Sequence, residues 1–325
     1  MTPGGKAAAH VNVGTHRHEV RLHDHDALEH ARHDRDGSLY PATMYRGRLA
    51  PSPTGLAHLG VARTSLVAWL RARSEAGRLV MRIEDLDGPR VVPGAADAML
   101  RDLRWLGLDW DEGPYFQSQR FADYERAIDQ LRAQGLVYPC TCSRKEIASV
   151  ASAPHADDQE SRYPGTCRNG VSHADGRTPS WRFRMPESEP DFVIKRADGV
   201  YAYQLAVVVD DIAMNITEVV RGDDLLSSTP RQIGLYRGLG ASPPDFLHVP
   251  LMLGPDGVRL AKRHGAVAIA ELRDQGYAPE RIVGYLAHTL GLLDRDEPIS
   301  AHDLIASFSV DRMAREPTVT RAFDP

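Results

Sequence analysis

No apolar run in this 325-residue chain approaches the ~20 positions that a membrane helix needs. The longest β-branched stretch, Leu205-Ala-Val-Val-Val209, stops at Asp210-Asp211 and reads as a buried strand over 203–209. The N-terminus lacks the charged-then-apolar pattern of an export signal, so the chain reads as cytoplasmic. Basic excess is also missing. The formal net charge is −5, so any nucleic acid must be held by a local patch. Cysteine is scarce: Cys140, Cys142 and Cys167 are the whole complement. An odd, clustered set in such a chain favours a metal over disulfides. There is no internal repeat, and no coiled-coil heptad argues for an oligomer, so a monomer is expected.

Residues 1–43 hold seven of the 14 histidines, with mixed charge and almost no apolar periodicity. Disorder is the expected state. A metal-binding tail is a second reading. A misplaced start codon is a third, since Met44 lies four residues before Arg48.

From Tyr45 onward the pattern is α/β. A strand over 45–50 runs through a Pro/Gly turn into a helix over 59–75 that Gly77 closes. A strand over 79–83 ends at Glu84. Helices follow over 93–106 and 119–134, the second capped by Ser118. Residues 136–180 break the rhythm and read as an insertion. Strands resume over 180–185, 192–196, 203–209 and 216–220. A helix over 229–239, a strand over 246–251 and a polar basic loop over 254–265 come next, and the last ~60 residues read as helical.

Four groups of residues carry chemistry. The run Arg48-Leu-Ala-Pro-Ser-Pro-Thr-Gly-Leu-Ala-His58-Leu-Gly60 is a strand–turn–helix of the kind that cradles phosphate at a helix N-terminus. Cys140-Thr-Cys142 with Cys167 offers three thiolates to a tetrahedral zinc ion, with Tyr163 or His155 as the fourth donor. Arg48, Ser52, Glu84, Tyr203 and Arg221 fall at strand ends that share one crevice in an open sheet. Two arginines and a carboxylate there suit a ligand with two carboxylates and one amine. The loop 254–265, with Arg259, Lys262 and Arg263 between glycines, is a cation-rich flap suited to a triphosphate.

Together these motifs resemble the class I aminoacyl-tRNA synthetases of the glutamyl type, and more narrowly their short paralogues, the glutamyl-Q tRNA(Asp) synthetases. The resemblance runs from Tyr45 to about Ile305. Its elements are the opening run above, Arg82-Ile-Glu84-Asp-Leu-Asp87, Val219-Val-Arg221-Gly-Asp-Asp224 with Thr229-Pro-Arg-Gln232, and Arg259-Leu-Ala-Lys262-Arg263 at the KMSKS position. That last element departs from the family pattern, with Ala261 for Ser and only the second Lys retained.

The resemblance implies a Rossmann-like catalytic domain split into 44–135 and 201–265. A zinc-binding insertion would occupy 136–200 and a short helical part 266–325. It implies that ATP activates L-glutamate to glutamyl-AMP and that the glutamyl group passes to queuosine at the wobble position of tRNA(Asp). Arg48, Leu49, Ala50, Pro51, Ser52, Glu84, Tyr203 and Arg221 would bind glutamate. His58, Gly60 and Lys262 would bind ATP with Mg²⁺, His58 and Lys262 acting on the phosphates. Cys140, Cys142, Tyr163 and Cys167 would hold the zinc, Tyr163 being the family's ligand in place of His155. The ~60 residues after the basic loop are too few for the anticodon-binding domain of a full glutamyl-tRNA synthetase. The competing expectations are a minimal synthetase charging tRNA(Glu) and a catalytically silent glutamate- or RNA-binding module.

Overall fold

The computed structural model describes residues 32–33, 39–40, 44–150, 163–170, 176–186, 189–254, 257–258 and 267–319. The readings placed on His155, Arg259, Lys262 and Arg263, and most of those on 1–43, lie outside the described residues. The chain divides into two units, Met1–Ala42 and Thr43–Pro325. In the first, β1 (Arg32–His33) pairs antiparallel with β2 (Leu39–Tyr40).

The second unit opens with β3 (Arg46–Leu49), α1 (Leu59–Ser74) and β4 (Arg78–Ile83), close to the expected bounds. His58 caps α1, its Nδ1 accepting from the Gly60 N–H at 3.1 Å. Leu59, Ala62, Leu66, Val67 and Leu70 bury one face of the helix. At Gly77 a Cβ would sit 2.5 Å from the Tyr45 carbonyl oxygen, so only glycine lets the chain turn back into β4. α2 (Ala95–Trp105) leads to β5 (Glu112–Phe116), which pairs parallel with β4. Glu112-Gly-Pro-Tyr-Phe116 was not anticipated as a strand. Pro114 lacks a donor, and β5 tolerates it as the outer strand of its sheet.

α3 (Phe121–Ala133) starts later than expected. Ser118 does not cap it; its N–H and hydroxyl bind the Asp85 carboxylate at 2.8 and 2.6 Å. β6 (Val137–Cys140) leads through α4 (Arg144–Val150) to β7 (Ser180–Phe183) and β8 (Phe192–Lys195), and the three strands form an antiparallel sheet.

The strand expected over 203–209 is instead a helix, α5 (Tyr203–Ala213). Leu205 to Asp211 are all buried, so the run shows neither a two- nor a 3.6-residue period, and periodicity cannot separate the two states. Tertiary burial overrides the strand preference of the three valines. α5 shares one core with α3 and the antiparallel sheet through Ile128, Leu131, Phe183, Leu205, Val208 and Leu235.

β9 (Glu218–Gly222), α6 (Thr229–Gly238) and β10 (Asp245–Val249) complete the parallel system, with β9 and β10 paired. β3 and β9 lie side by side without a full ladder. The Thr217 N–H donates to the Arg46 carbonyl (2.9 Å), the Arg46 N–H to Thr217 Oγ1 (2.8 Å), and Arg48 Nη1 to the Val220 carbonyl (2.7 Å). The strand order is therefore β5-β4-β3-β9-β10, and it reverses between β3 and β9. Ligands of open α/β sheets bind at such a reversal, beyond the carboxyl ends of the strands.

β11 (Met252–Leu253), α7 (Ile269–Asp274), α8 (Pro279–Thr289) and β12 (Thr318–Val319) follow, β11 and β12 pairing in parallel. The expected helical C-terminus holds only as far as Thr289; past it the described residues contain short 3-10 turns and β12. No helix among the described residues is long and apolar enough to cross a membrane.

α5 is fastened by Asp210, which accepts from Arg120 Nε (2.6 Å), Gln117 Nε2 (2.8 Å) and the Tyr124 hydroxyl (3.0 Å). Asp210→Ala would leave Arg82 and Arg120 buried beside a lost countercharge, and should cost about 3–5 kcal/mol of stability. Urea denaturation checks this; a loss below ~1 kcal/mol, the scale of exposed pairs, would show that Asp210 is not the fastening point.

Candidate active site

The strand ends gather the charges. Arg48 lies near the end of β3, Glu84 just beyond β4 and Arg221 near the end of β9, while Tyr203 opens α5. The Glu84 N–H donates to the Pro51 carbonyl at 3.0 Å, which draws the loop after β3 across the end of β4.

Beneath the crevice is a buried ion cluster. Arg82 has no exposed surface; it donates through Nη1 to Asp211 Oδ1 (2.6 Å) and through Nη2 to Glu84 Oε1 (3.1 Å). Its Nε is 3.8 Å from Asp210 Oδ2, and Arg48 Nε is 3.8 Å from Asp211 Oδ1. Arg48 Nε is buried with no hydrogen-bond partner. Three arginines, 48, 82 and 120, thus face three carboxylates, Glu84, Asp210 and Asp211. Burial raises the Glu84 carboxyl above its usual range, and Arg82 and Arg48 draw it partly back.

Arg221 stands apart from this balance. It is buried and its acceptors are neutral: Gln232 Oε1 (2.5 Å), Thr229 Oγ1 (2.7 Å) and His248 Nε2 (3.2 Å). No carboxylate among the described residues lies within ion-pair distance of it. Burial lowers its pKa, and the neighbouring Arg48 adds to the effect. Its guanidinium carbon is 4.8 Å from the Phe246 ring centre. Burial, then Arg221, lowers His248 to about 4, so the imidazole is neutral near pH 7 and can accept from Arg221.

Tyr203 is 37% exposed as a residue. Its hydroxyl end is nevertheless desolvated and is raised to about 12, with Glu84 adding to the effect of burial and Arg48 and Arg221 opposing it. These four side chains, each singled out from the sequence, therefore share one electrostatic neighbourhood. Leu49 and Pro51 are buried, Ala50 is half-buried, and Ser52 is exposed, with its carbonyl accepting from the Thr54 N–H. On the same loop His58 caps α1, and Gly60 lies in its first turn. The structure also supplies residues not foreseen as part of the site: Asp211, Gln204, Thr229, Gln232 and His248. Gln232 donates to Gln204 Oε1 at 2.8 Å, which steadies the Arg221 acceptor. Thr229 and Gln232 were visible in the run after Arg221; Gln204 and His248 carry no signal in a single sequence.

A second cluster forms where β6 ends. The sulfurs of Cys140, Cys142 and Cys167 lie within 4.8 Å of one another, and none is in a disulfide. The Cys142 and Cys167 sulfurs are 3.5 Å apart. The Tyr163 hydroxyl accepts from Cys140 Sγ (3.4 Å) and from the Cys167 N–H (2.8 Å), and Arg182 stacks 3.6 Å over the Tyr163 ring. A tetrahedral ion with bonds of about 2.3 Å sets thiolates about 3.8 Å apart, so the spacing suits one metal ion with the phenol at the fourth corner.

The family model of the class I tRNA synthetases (E and Q), catalytic domain, matches residues 44–322. The chain belongs to this family. Among its relatives, the glutamyl-Q tRNA(Asp) synthetase of Symbiobacterium thermophilum is 50% identical over 307 residues, 84% of this chain and 95% of that protein. The glutamate–tRNA ligase of Geotalea uraniireducens is 41% identical over 292 residues, 84% of this chain and 62% of that protein. The crystal structure of a glutamate tRNA ligase from Elizabethkingia meningosepticum in complex with its amino acid aligns with a TM-score of 0.72 at 28% identity. That alignment covers 86% of this chain and 67% of that one. The α/β architecture expected from the sequence is thus that of a class I synthetase catalytic domain.

Within this synthetase fold, His248 makes the Arg221 shell pH-sensitive. Its pKa is lowered on folding, from 6.5 to about 4. The unfolded chain therefore binds the proton more readily, and stability present above pH ~6.5 is lost as pH falls towards ~4. Melting temperatures from pH 7.5 to 4.5 should fall more steeply for the wild type than for His248→Gln, which keeps an acceptor for Arg221. Parallel curves would remove His248 as a cause.

Proposed function

We propose that this chain uses ATP to activate L-glutamate as glutamyl-AMP and transfers the glutamyl group to queuosine at the wobble position of tRNA(Asp). The observation that carries the reading is Arg221, a buried cation held only by neutral groups beside Glu84, Tyr203 and Arg48. The cluster of Arg48, Arg82, Arg120, Glu84, Asp210 and Asp211 is formally balanced, so Arg221 leaves one positive charge in surplus. Glutamate, with two carboxylates and one ammonium, carries the matching single negative charge. Arg48 and Arg221 hold the carboxylates, Glu84 takes the ammonium, and Tyr203 and Ser52 orient the ligand against the backbone of Leu49, Ala50 and Pro51.

An oxygen of the α-carboxylate then attacks the α-phosphorus of ATP, and the bond to the leaving pyrophosphate breaks. His58, Gly60 and Lys262 hold the phosphates, and Mg²⁺ supplies neutralising charge when bound. An RNA nucleophile takes the glutamyl group and releases AMP. The protein contributes position and preorganised charge. The choice of queuosine-bearing tRNA(Asp) is supported by the 50%-identical relative's name and by the Cys-x-Cys…Tyr-x-x-x-Cys pattern.

Glutamate-dependent ATP–pyrophosphate exchange, followed by addition of tRNA(Asp) with and without queuosine and of tRNA(Glu), tests the reading. Exchange, with labelling confined to queuosine-bearing tRNA(Asp), is expected. Charging of tRNA(Glu) would move the chain to the synthetase reading, and absence of exchange to a binding module. Arg221→Met should raise the KM for glutamate about 30- to 1,000-fold, the range for removing one partner of a buried charge pair. The melting temperature should hold or rise, because an uncompensated buried cation is removed.

Cys140, Cys142, Cys167 and Tyr163 hold one structural zinc ion in this reading. Elemental analysis should give one zinc per chain, and Cys142→Ser should lower both that ratio and thermal stability. Full stability of a zinc-free preparation would dismiss a structural metal.

A further inference from the structure

Asp191 stands just before β8, and its side chain is 1% exposed. Three donors fill the carboxylate. Oδ1 accepts from Arg168 Nη1 and from the Met185 N–H, each at 2.7 Å, and Oδ2 accepts from the Tyr138 hydroxyl at 2.6 Å. The Asp191 carbonyl accepts from Arg182 Nη1 at 3.2 Å. A carboxylate is tolerated at such depth only when it is paired and hydrogen-bonded. These donors must therefore reach it for this part of the chain to settle.

The donors belong to the segments that carry the clustered cysteines and Tyr163. Tyr138 lies on β6, two residues before Cys140. Arg168 directly follows Cys167, and its Nη2 donates to the Met185 carbonyl at 2.8 Å, so its guanidinium forks between Asp191 and Met185. Arg182 pairs with Tyr138 across β6 and β7 and lies 3.6 Å over the Tyr163 ring. Arg184 adds a tie in the same sense: Nη2 donates to the Arg168 carbonyl, and the guanidinium carbon is 4.7 Å from the Tyr138 ring centre. Cys140 and Cys142 thus come from a strand end fastened to one oxygen of Asp191. Tyr163 and Cys167 come from a turn fastened to the other. None of these bonds uses a sulfur or the Tyr163 hydroxyl. The frame brings the Cys142 and Cys167 sulfurs to 3.5 Å of each other without involving either of them.

We propose that Asp191 is a positioning residue for the metal ion, joining the two ligand-bearing segments so that their four donors converge before the ion arrives. The proposal rests on the zinc reading given above. A site assembled during folding binds more tightly than one that the ion must assemble, because the cost of ordering the segments is not charged against binding. Outer groups that hold the ligands in place act on affinity in this way. Asp191 touches none of the four donor atoms. Its effect therefore falls on affinity and coordination geometry and not on the number of ions bound.

The test uses the full-length chain loaded with zinc or, for its visible spectrum, with cobalt(II). Asp191→Ala removes the joint. Asp191→Asn keeps an oxygen for Arg168 and the Met185 N–H and offers an amide to the Tyr138 hydroxyl. Tyr138→Phe cuts only the tie to β6. The readouts are the zinc Kd by competition with a chelator of known affinity, the absorption bands of the cobalt(II) form, and the melting temperature without metal. Asp191→Ala should raise the zinc Kd about 10- to 100-fold, the scale for outer partners of metal sites, with the same metal content at saturation. Its cobalt(II) bands should shift or weaken. Tyr138→Phe should raise the Kd by a smaller factor, and Asp191→Asn should fall between alanine and wild type. A lower melting temperature with zinc Kd and cobalt(II) bands unchanged would make Asp191 merely structural and overturn the proposal. If Asp191→Ala does not fold, Tyr138→Phe and Asp191→Asn decide on the same readouts. A wild type that binds zinc no better than its variants sinks the proposal alone. A wild type that takes up neither zinc nor cobalt(II) sinks the zinc reading and the proposal with it.

Discussion

Arg82 has no exposed surface, and the carboxylates around it come from two distant parts of the chain: Glu84 beyond β4, and Asp210 and Asp211 from α5. Such a cluster adds little net stability compared with an apolar core of equal volume, because desolvation offsets most of the attraction. Its effect is on arrangement. A helix as apolar as α5 could pack in several rotations, but only one of them brings both aspartates to Arg82 and Arg120. The core beside α1 and the core beside the antiparallel sheet are aligned through this contact. Tyr203, at the first turn of α5, takes its place in the crevice from the same constraint.

The crevice above inherits a fixed background of charge. Every carboxylate in the cluster already has a guanidinium within reach, whereas Arg221 has Gln232, Thr229 and His248. Neutral acceptors hold the orientation of a cation without cancelling its field, and burial keeps that field strong. The site is therefore preorganised for an anion before any ligand arrives.

The sequence made the crevice legible because its charged residues sit in tight motifs at strand ends: Arg48 before a Pro/Gly turn, Glu84 after an apolar strand and Arg221 before glycine. Long-range partners were not legible. Asp211 lay just past a run that reads as a strand, since consecutive burial from Leu205 onward erases the periodicity that would have carried the helix on to it. Ser118 has the chemistry of a helix cap, yet Asp85 takes both of its donors. β5 was hidden because its stability comes from β4 and not from its own Gly-Pro composition. Asp191 reads as one more acid ahead of a strand, and only the arrival of Tyr138 and Arg168 at its side reveals its position.

The seam between β3 and β9 bears on substrate choice. Arg48 and Arg221, on its two sides, are the groups assigned to the two carboxylates of the amino acid. Their separation is governed by a few bonds at Arg46, Thr217 and Val220, not by a continuous backbone ladder. The seam is therefore a ruler. Aspartate differs from glutamate by one methylene, a difference that a binding pocket alone rejects by only about 1–3 kcal/mol. Two rigidly spaced guanidinium groups add a penalty for a ligand too short to reach both, so the fidelity of the first step depends on how little this seam can narrow.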